Sequence, residues 1–382
     1  MTEGSQREWV PRRPDDRRVP WRRRGALFAL APLGFGVLQL AAARPELVEE
    51  HYSAGLFPRV RDALRGVAGA LPFHLSEVLL LLVLVTVLLA LPRALAARVR
   101  GSRSLRNQAA HALTRVLAAA GLIYALFLVS WGLNHAREPY AVHAQLENSA
   151  VDRDDLEDVL RWLVAECNAL REQVEPEDLA LRPGPGGVDP RLLAGYAALA
   201  ADVPALAGGE PLLRQAFLSP ALSRLGISGI YSPFTAESHV NGEISWWVLP
   251  FASAHELAHF KGFAREDEAN FIAWQACRRS PDPAIRYAAT LVALSFTTGA
   301  VREYDWLQAE VLRFDLSEAV LEDLDLNRKF WASKRTVVTE VAEASNDVYL
   351  KSQGQAAGLK SYGLMVNLLV AEWRGNLLSE DS

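Results

Sequence analysis

Cysteine is nearly absent: Cys167 and Cys277 are the only two in 382 residues. Two cysteines cannot build a disulfide framework or a four-thiolate zinc site, and the expected state is a pair of buried free thiols. Basic charge is scarce where a nucleic-acid binder would need it. Residues 134–382 carry 22 Lys+Arg against 36 Asp+Glu, whereas residues 1–133 carry 18 against 9. The acidic balance of the larger part argues against nucleic acid as a partner. Internal repeats are lacking, and no low-complexity tract occurs beyond an Arg-rich leader. Charge itself is missing from two long apolar runs, 25–43 and 116–133.

Those two runs, with a third at about 71–92, are long enough to cross a bilayer, which takes about 20 mainly apolar residues. The middle one carries His74 and Glu77 near its start and an unbroken apolar core from Val78 to Leu91. Eight Arg lie within residues 7–24 and six within 93–115, while the loop 44–70 has only four, mixed with acids. The positive-inside rule then keeps the leader 1–24 and the loop near residue 100 cytoplasmic. Three spans place residues 134–382 outside the cytoplasm. Ala41-Ala42-Ala43 also resembles a signal-peptidase site, but cleavage there would not alter the topology downstream. The lipid bilayer is thus an expected partner.

The fold class expected is mainly α: three N-terminal transmembrane helices, then one mostly helical α+β domain. Helical periodicity appears at 152–174, 190–201, 253–260, 266–278, 283–297, 304–314, 317–344 and 364–374. Pro183 to Gly187 and Gly208-Gly209 mark loops. Residues 227–249, rich in Ser, Ile, Tyr, Val and Trp and broken by Asn241-Gly242, read as a strand hairpin. The apolar runs 287–297 and 362–370 are too short to span.

Chemistry concentrates in His255-Glu256-Leu257-Ala258-His259. On a helix the two histidines lie one turn apart on one face, so both imidazoles can reach a single metal. Glu256 is placed to take a proton from water and pass it to a leaving amine. Zinc fits the donor types and supplies hydroxide at neutral pH. Gly262 can end the helix in a left-handed conformation. A catalytic site needs a third protein ligand, and Glu266, Asp267 and Glu268 follow at the start of the next helix. Acids there also favour the helix macrodipole. Glu266 is the ligand expected, because Asn270 sits four residues on and can accept the distal N–H of a ligating His. When Glu266 faces the metal, Asp267 is turned about 100° away, and Glu268 is left to favour the helix start or bind Arg265.

This pattern is similar to the gluzincin-type zinc metallopeptidases, in which HExxH is followed by a Glu ligand and, four positions later, an acidic residue. Here Asn270 replaces that acid, and the step from His259 to Glu266 is very short. More closely, the chain resembles a bacterial membrane family known as domain of unknown function 3810. The matching stretches are Tyr231 to Glu237, His255 to His259, Arg265 to Asn270, Tyr349-Leu350-Lys351 and Ser361-Tyr362-Gly363. The resemblance implies a zincin-like zinc peptidase and supplies no substrate.

The strand beside the metal helix of zincins binds substrate backbone; by that analogy Asn241 lines the cleft, and His239 is a further candidate. Tyr349 and Tyr362 are candidates for stabilising an oxyanion. Trp246, Trp247 and Trp274 read as core, and Glu77 as an interfacial acid. The function expected is membrane-anchored, zinc-dependent hydrolysis of peptide bonds outside the cytoplasmic membrane, with a peptide or protein as substrate. Two alternatives are hydrolysis of another amide, such as a cell-wall peptide bridge, and an inactive metal-binding scaffold or receptor domain.

Overall fold

The computed structural model describes residues 21–99, 105–147, 150–175 and 184–380. Two compact units divide the chain: Met1–Val37 with Leu81–Leu126, and Leu38–Leu80 with Phe127–Ser382. In chain order the first elements are α1 (Trp21–Ala42), the single turn α2 (Pro45–Val48), a π-helical stretch (Glu49–Leu56), α3 (Phe57–Gly69), α4 (Leu75–Val99) and α5 (Leu105–Ser130).

The first unit consists of the greater parts of α1, α4 and α5. Its helices expose what a soluble helix buries. Every residue from Leu81 to Ala90 is exposed, and all but Thr86 are apolar. Leu27, Phe28, Leu33, Leu122, Ile123 and Leu126 are exposed as well. Such surface is stable against lipid, where the internally satisfied backbone of a helix is the requirement. A Cβ at Gly121 would lie 2.1 Å from the Leu27 carbonyl oxygen, so only glycine permits this close approach of α5 to α1.

By length and composition, three described helices could cross a membrane: Gly25–Ala42, Ala112–Ser130 and Pro283–Tyr304. The first and third expected runs correspond to α1 and α5. The middle run is a shorter apolar stretch, Leu75–Ala90, within the longer helix α4. Pro283–Tyr304 has 61% of its most apolar 18-residue window buried and is a core helix of the second unit. The leader up to residue 20 and the loop 100–104 lie outside the described residues.

The second unit is mainly helical, with α6 (Tyr140–His143), α7 (Arg153–Arg171), α8 (Pro190–Asp202), α9 (Ser219–Leu225), α10 (Leu249–Phe260), α11 (Glu266–Arg278) and α12 (Pro283–Tyr304). Then follow α13 (Trp306–Arg313), α14 (Glu318–Lys334), α15 (Val337–Ser352) and α16 (Met365–Glu380). Caps set several starts: Asp152, Asp189 and Asp282 each accept the backbone N–H two residues on, at 2.8–2.9 Å, and Pro190 and Pro283 follow two of them. The long helix expected over 317–344 is two helices, because Thr336 restarts the chain with a capping box to Thr339. Helix α12 packs on α7, α10 and α11, with Val159, Leu163, Phe271, Trp274, Ala288 and Leu291 in the core. Cys167 and Cys277 are free and buried, as expected.

A small sheet of order β1-β3-β2 joins β1 (Leu213–Gln215) parallel to β3 (Glu237–Val240) and β2 (Gly229–Ser232) antiparallel to it. The hairpin exists, but its turn is Pro233 to Ala236, not Asn241-Gly242. Tyr231 pairs with Ser238 and Ser232 with Glu237. Ala236 takes the left-handed φ of 53° that closes the turn, a conformation the Asn-Gly rule does not look for in Ala.

Candidate metal centre

Helix α10 carries His255, Glu256 and His259, and its burial fixes how they point. Leu257, Ala258 and Phe260 are fully buried on the core side, each large one contributing about 1.5–3 kcal/mol. The two imidazoles project from the other face, ring centroids 4.5 Å apart. Neighbouring elements clamp the helix through its carbonyls. The Trp131 indole N–H donates to His259 O at 3.0 Å, the Tyr196 hydroxyl to Ala254 O at 2.5 Å, and the Ser238 hydroxyl to Glu256 O at 3.2 Å.

The helix ends in a Schellman reversal. Gly262 has φ +90°; its N–H donates to His259 O at 3.0 Å, and the Phe263 N–H donates to Ala258 O at 3.1 Å. This turn brings α11 back at once and points the Phe263 carbonyl at His259 Nδ1, 2.8 Å away. Glu266 in the first turn of α11 then lies 3.2 Å from His255 Nε2 and 3.5 Å from His259 Nε2, both through Oε2. One turn later the Asn270 Oδ1 accepts from His255 Nδ1 at 2.7 Å.

These distances test the fit of a metal. Two ligands at 2.0–2.2 Å from a tetrahedral ion stand about 3.3–3.6 Å apart, and the carboxylate-to-imidazole separations match that edge closely. A carbonyl oxygen can only accept, and Asn270 presents its amide oxygen, so each Nδ1 carries a proton and each Nε2, facing Glu266, is the atom that would ligate a metal once its own proton is lost. Glu266 Oε2 has no hydrogen-bond partner. The donor set of two imidazoles and one carboxylate suits zinc with an open fourth position.

Burial shapes the electrostatics. It pushes the Glu266 carboxyl up, but His259 and His255 hold it well below the usual carboxylate range. Burial pulls His259 down, and the Glu266 carboxylate overrides it, raising the imidazole to about 9. Glu256, only 3% exposed, is pushed up to about 7 by burial, and its Oε2 has no partner. Room for its carboxylate comes from Gly229 on β2, where a Cβ would lie 2.5 Å from Glu256 Oε1.

Glu268 faces away from the histidines: its Oε1 accepts from the Tyr140 N–H at 2.9 Å and from Arg265 at 2.8 Å. Asp267 lines a neighbouring cavity. Tyr349 comes near the centre through an unexpected residue, His135, whose Nε2 lies 3.3 Å from the Tyr349 hydroxyl. Burial drives His135 down to about 3, so it is a neutral imidazole at physiological pH. No motif marks His135; the only signal is its place among polar residues Asn134 to Arg137, directly after an apolar run. Tyr362 lies in a 3-10 turn, Gly358–Leu364, and its side chain lies outside the described residues.

Asn241 is a correction. It is fully buried, its amide donating to Ser223 Oγ and Ile227 O and its Oδ1 accepting the Glu243 N–H, all at 3.0 Å. It fastens the chain leaving β3 and has no face on a cleft. His239 joins a different cluster: with His74 and Glu77 it brings ligand atoms within 4.8 Å of one another. There Ser76 Oγ meets His239 Nε2 at 2.6 Å, and Glu77 accepts the Phe217 and Leu218 N–H groups at 3.1 and 2.8 Å. Glu77 is therefore an anchor for the start of α4, beyond the interfacial role expected of it. Trp247 and Trp274 are core residues and Trp246 packs against the core, as expected.

A family described as "Protein of unknown function (DUF3810)" matches residues 52–370, which includes every residue of this centre. The chain belongs to that family. No curated protein and no solved structure matches it. In this DUF3810 member the trio that could hold a metal, the buried Glu256 and Asn270 all fall inside the matched region.

Proposed function

We propose that the chain is a membrane-anchored, zinc-dependent metallopeptidase of zincin-like design, acting outside the cytoplasmic membrane. The observation that carries this reading is the convergence of His255, His259 and Glu266 at tetrahedral-edge distances beside a buried, unpartnered carboxyl of Glu256. Zinc in such a donor set supplies Lewis acidity and a nucleophile at neutral pH. Glu256, held near neutrality, takes a proton from water and returns it to the leaving amine. Phe263 O and Asn270 keep both imidazoles in the ligating tautomer. The Tyr349 hydroxyl and the neutral His135, 3.3 Å apart, are the candidate donors for a developing oxyanion. The reading places α1, α4 and α5 across the bilayer and the second unit on its outer side.

The full chain, purified in detergent, should bind one zinc per molecule at this centre and cleave members of a mixed peptide library. Glu256→Gln should retain the zinc and lose at least about a hundredfold in turnover, the lower end of a general acid–base contribution. Peptidase activity surviving that change nearly intact overturns the mechanism.

A further inference from the structure

A cavity of about 500 Å³ opens beside the candidate metal centre. Ligand sites for small molecules and short peptides fall in this size range. Its lining combines apolar surface, including Leu38, Ala42 and Leu364, with the charged residues Arg137, Arg265 and Asp267 and the side chains of His135, Gln353 and Gln355. Those three polar residues are only 7–8% exposed, yet each has an atom without a hydrogen-bond partner: His135 Nδ1, Gln353 Oε1 and Gln355 Nε2. Buried polar atoms left unpaired are uncommon, and several around one cavity call for a ligand that completes them.

The assignment of Gln355 is forced. Its Oε1 accepts the Glu266 N–H at 3.2 Å, and a backbone N–H can only donate, so the unpaired atom is the amide donor. The same bond ties this cavity wall to the residue that contributes the carboxylate of the metal trio. Gln353 gives its Nε2 to Ser352 Oγ at 3.1 Å and so presents an acceptor. Beside the charged lining residues Arg137, Arg265 and Asp267, the free donor of Gln355 and the free acceptor of Gln353 match the C=O and N–H of a main-chain amide. A lipid tail would leave both unpaired, and a phosphate would leave the acceptor unpaired.

We propose that this cavity binds the peptide substrate by its main chain: Gln355 Nε2 donates to a substrate carbonyl, and Gln353 Oε1 accepts a substrate N–H. Recognition through the main chain is then tolerant of side-chain identity. Leu38 and Ala42 belong to the last turn of α1, so the substrate is a segment that reaches the end of that helix. This inference rests on the metallopeptidase reading, because it assigns the substrate of the same centre.

The test uses the full-length Glu256→Gln chain in detergent, which binds without cleaving. Its probes are a fluorescein-labelled pool of mixed-sequence decapeptides and the same pool with N-methylated backbone amides. Anisotropy should give a Kd at least about tenfold weaker for the methylated pool. Gln353→Met should weaken the parent pool by a similar factor and abolish the difference between the two pools. Gln355→Glu, which keeps the acceptor for the Glu266 N–H but loses the donor, should weaken both. Equal binding of the two pools overturns the proposal without requiring any variant to fold. So do undiminished affinity in both Gln variants and an absence of peptide binding. Backbone-dependent binding with no cleavage by the zinc-loaded wild-type chain keeps the main-chain binding site and removes the peptidase reading, and with it the bound peptide's role as substrate.

Discussion

His255 and His259 each spend Nδ1 on a fixed acceptor, one a side-chain amide and one a main-chain carbonyl. That division makes the support of the site unequal. Removing Asn270 takes the acceptor away from His255 Nδ1, whereas the Phe263 carbonyl cannot be removed by substitution. Asn270→Ala should therefore weaken zinc binding about 10- to 100-fold, the range for outer partners of metal ligands. Glu266→Ala should deplete zinc more severely, because it removes a ligand outright. Asp267→Ala and Glu268→Ala should keep zinc near the wild-type level, with Glu268→Ala paying in melting temperature for its lost bonds to Tyr140 and Arg265. Zinc per mole in the four variants decides the assignment; full occupancy in Glu266→Ala with depletion in Glu268→Ala would move the ligand two residues along.

At the scale of elements, the α10–α11 reversal does two jobs with one turn. It stops the metal helix, and it presents both the Phe263 carbonyl and Glu266 to the histidines. Everything depends on Gly262, whose φ of +90° disfavours any side chain and whose Cβ would stand 2.7 Å from the Phe57 ring. Gly262→Ala should cost more than about 1 kcal/mol, at roughly 2–4 °C of melting temperature per kcal/mol for a domain of this size. Zinc occupancy should fall with it, since the reversal sets the carboxylate distance. Unchanged melting and zinc content would show that the turn tolerates a right-handed residue. The β2–β3 hairpin also serves the metal helix: Ser238 bonds the Glu256 carbonyl, and Gly229 leaves space for its carboxylate.

For the whole molecule, exposed apolar helices and a conventional buried core coexist in one chain. Helix α12 passes the same length and hydropathy test as α1 and α5, and only burial separates it from them. The Arg-rich stretches before α1 and between α4 and α5 give the expected orientation. Reporter fusions near residue 104 should be cytoplasmic and fusions after residue 140 external. A cytoplasmic reporter at the C-terminus would reverse the proposed orientation while leaving the candidate metal centre as it is.

What the sequence by itself determined is local. The 3.6-residue period puts His255 and His259 on one face, the seven-residue step to Glu266 with a glycine between is enough to suggest a return, and unbroken apolar runs mark the helices long and apolar enough to cross a membrane. These readings need only backbone geometry and short-range sterics. The tertiary structure alone decided what spans a long sequence separation. His135 meets Tyr349 across more than two hundred residues. Gln355 braces Glu266 from a different helix pair, and Glu77 anchors the Phe217 and Leu218 amides. Asn241 was misplaced for the same reason: its dipeptide with Gly242 announces a turn, but packing buries it and spends every hydrogen bond inside the fold. Contacts of that kind follow from which faces the core leaves adjacent, and no local pattern encodes them.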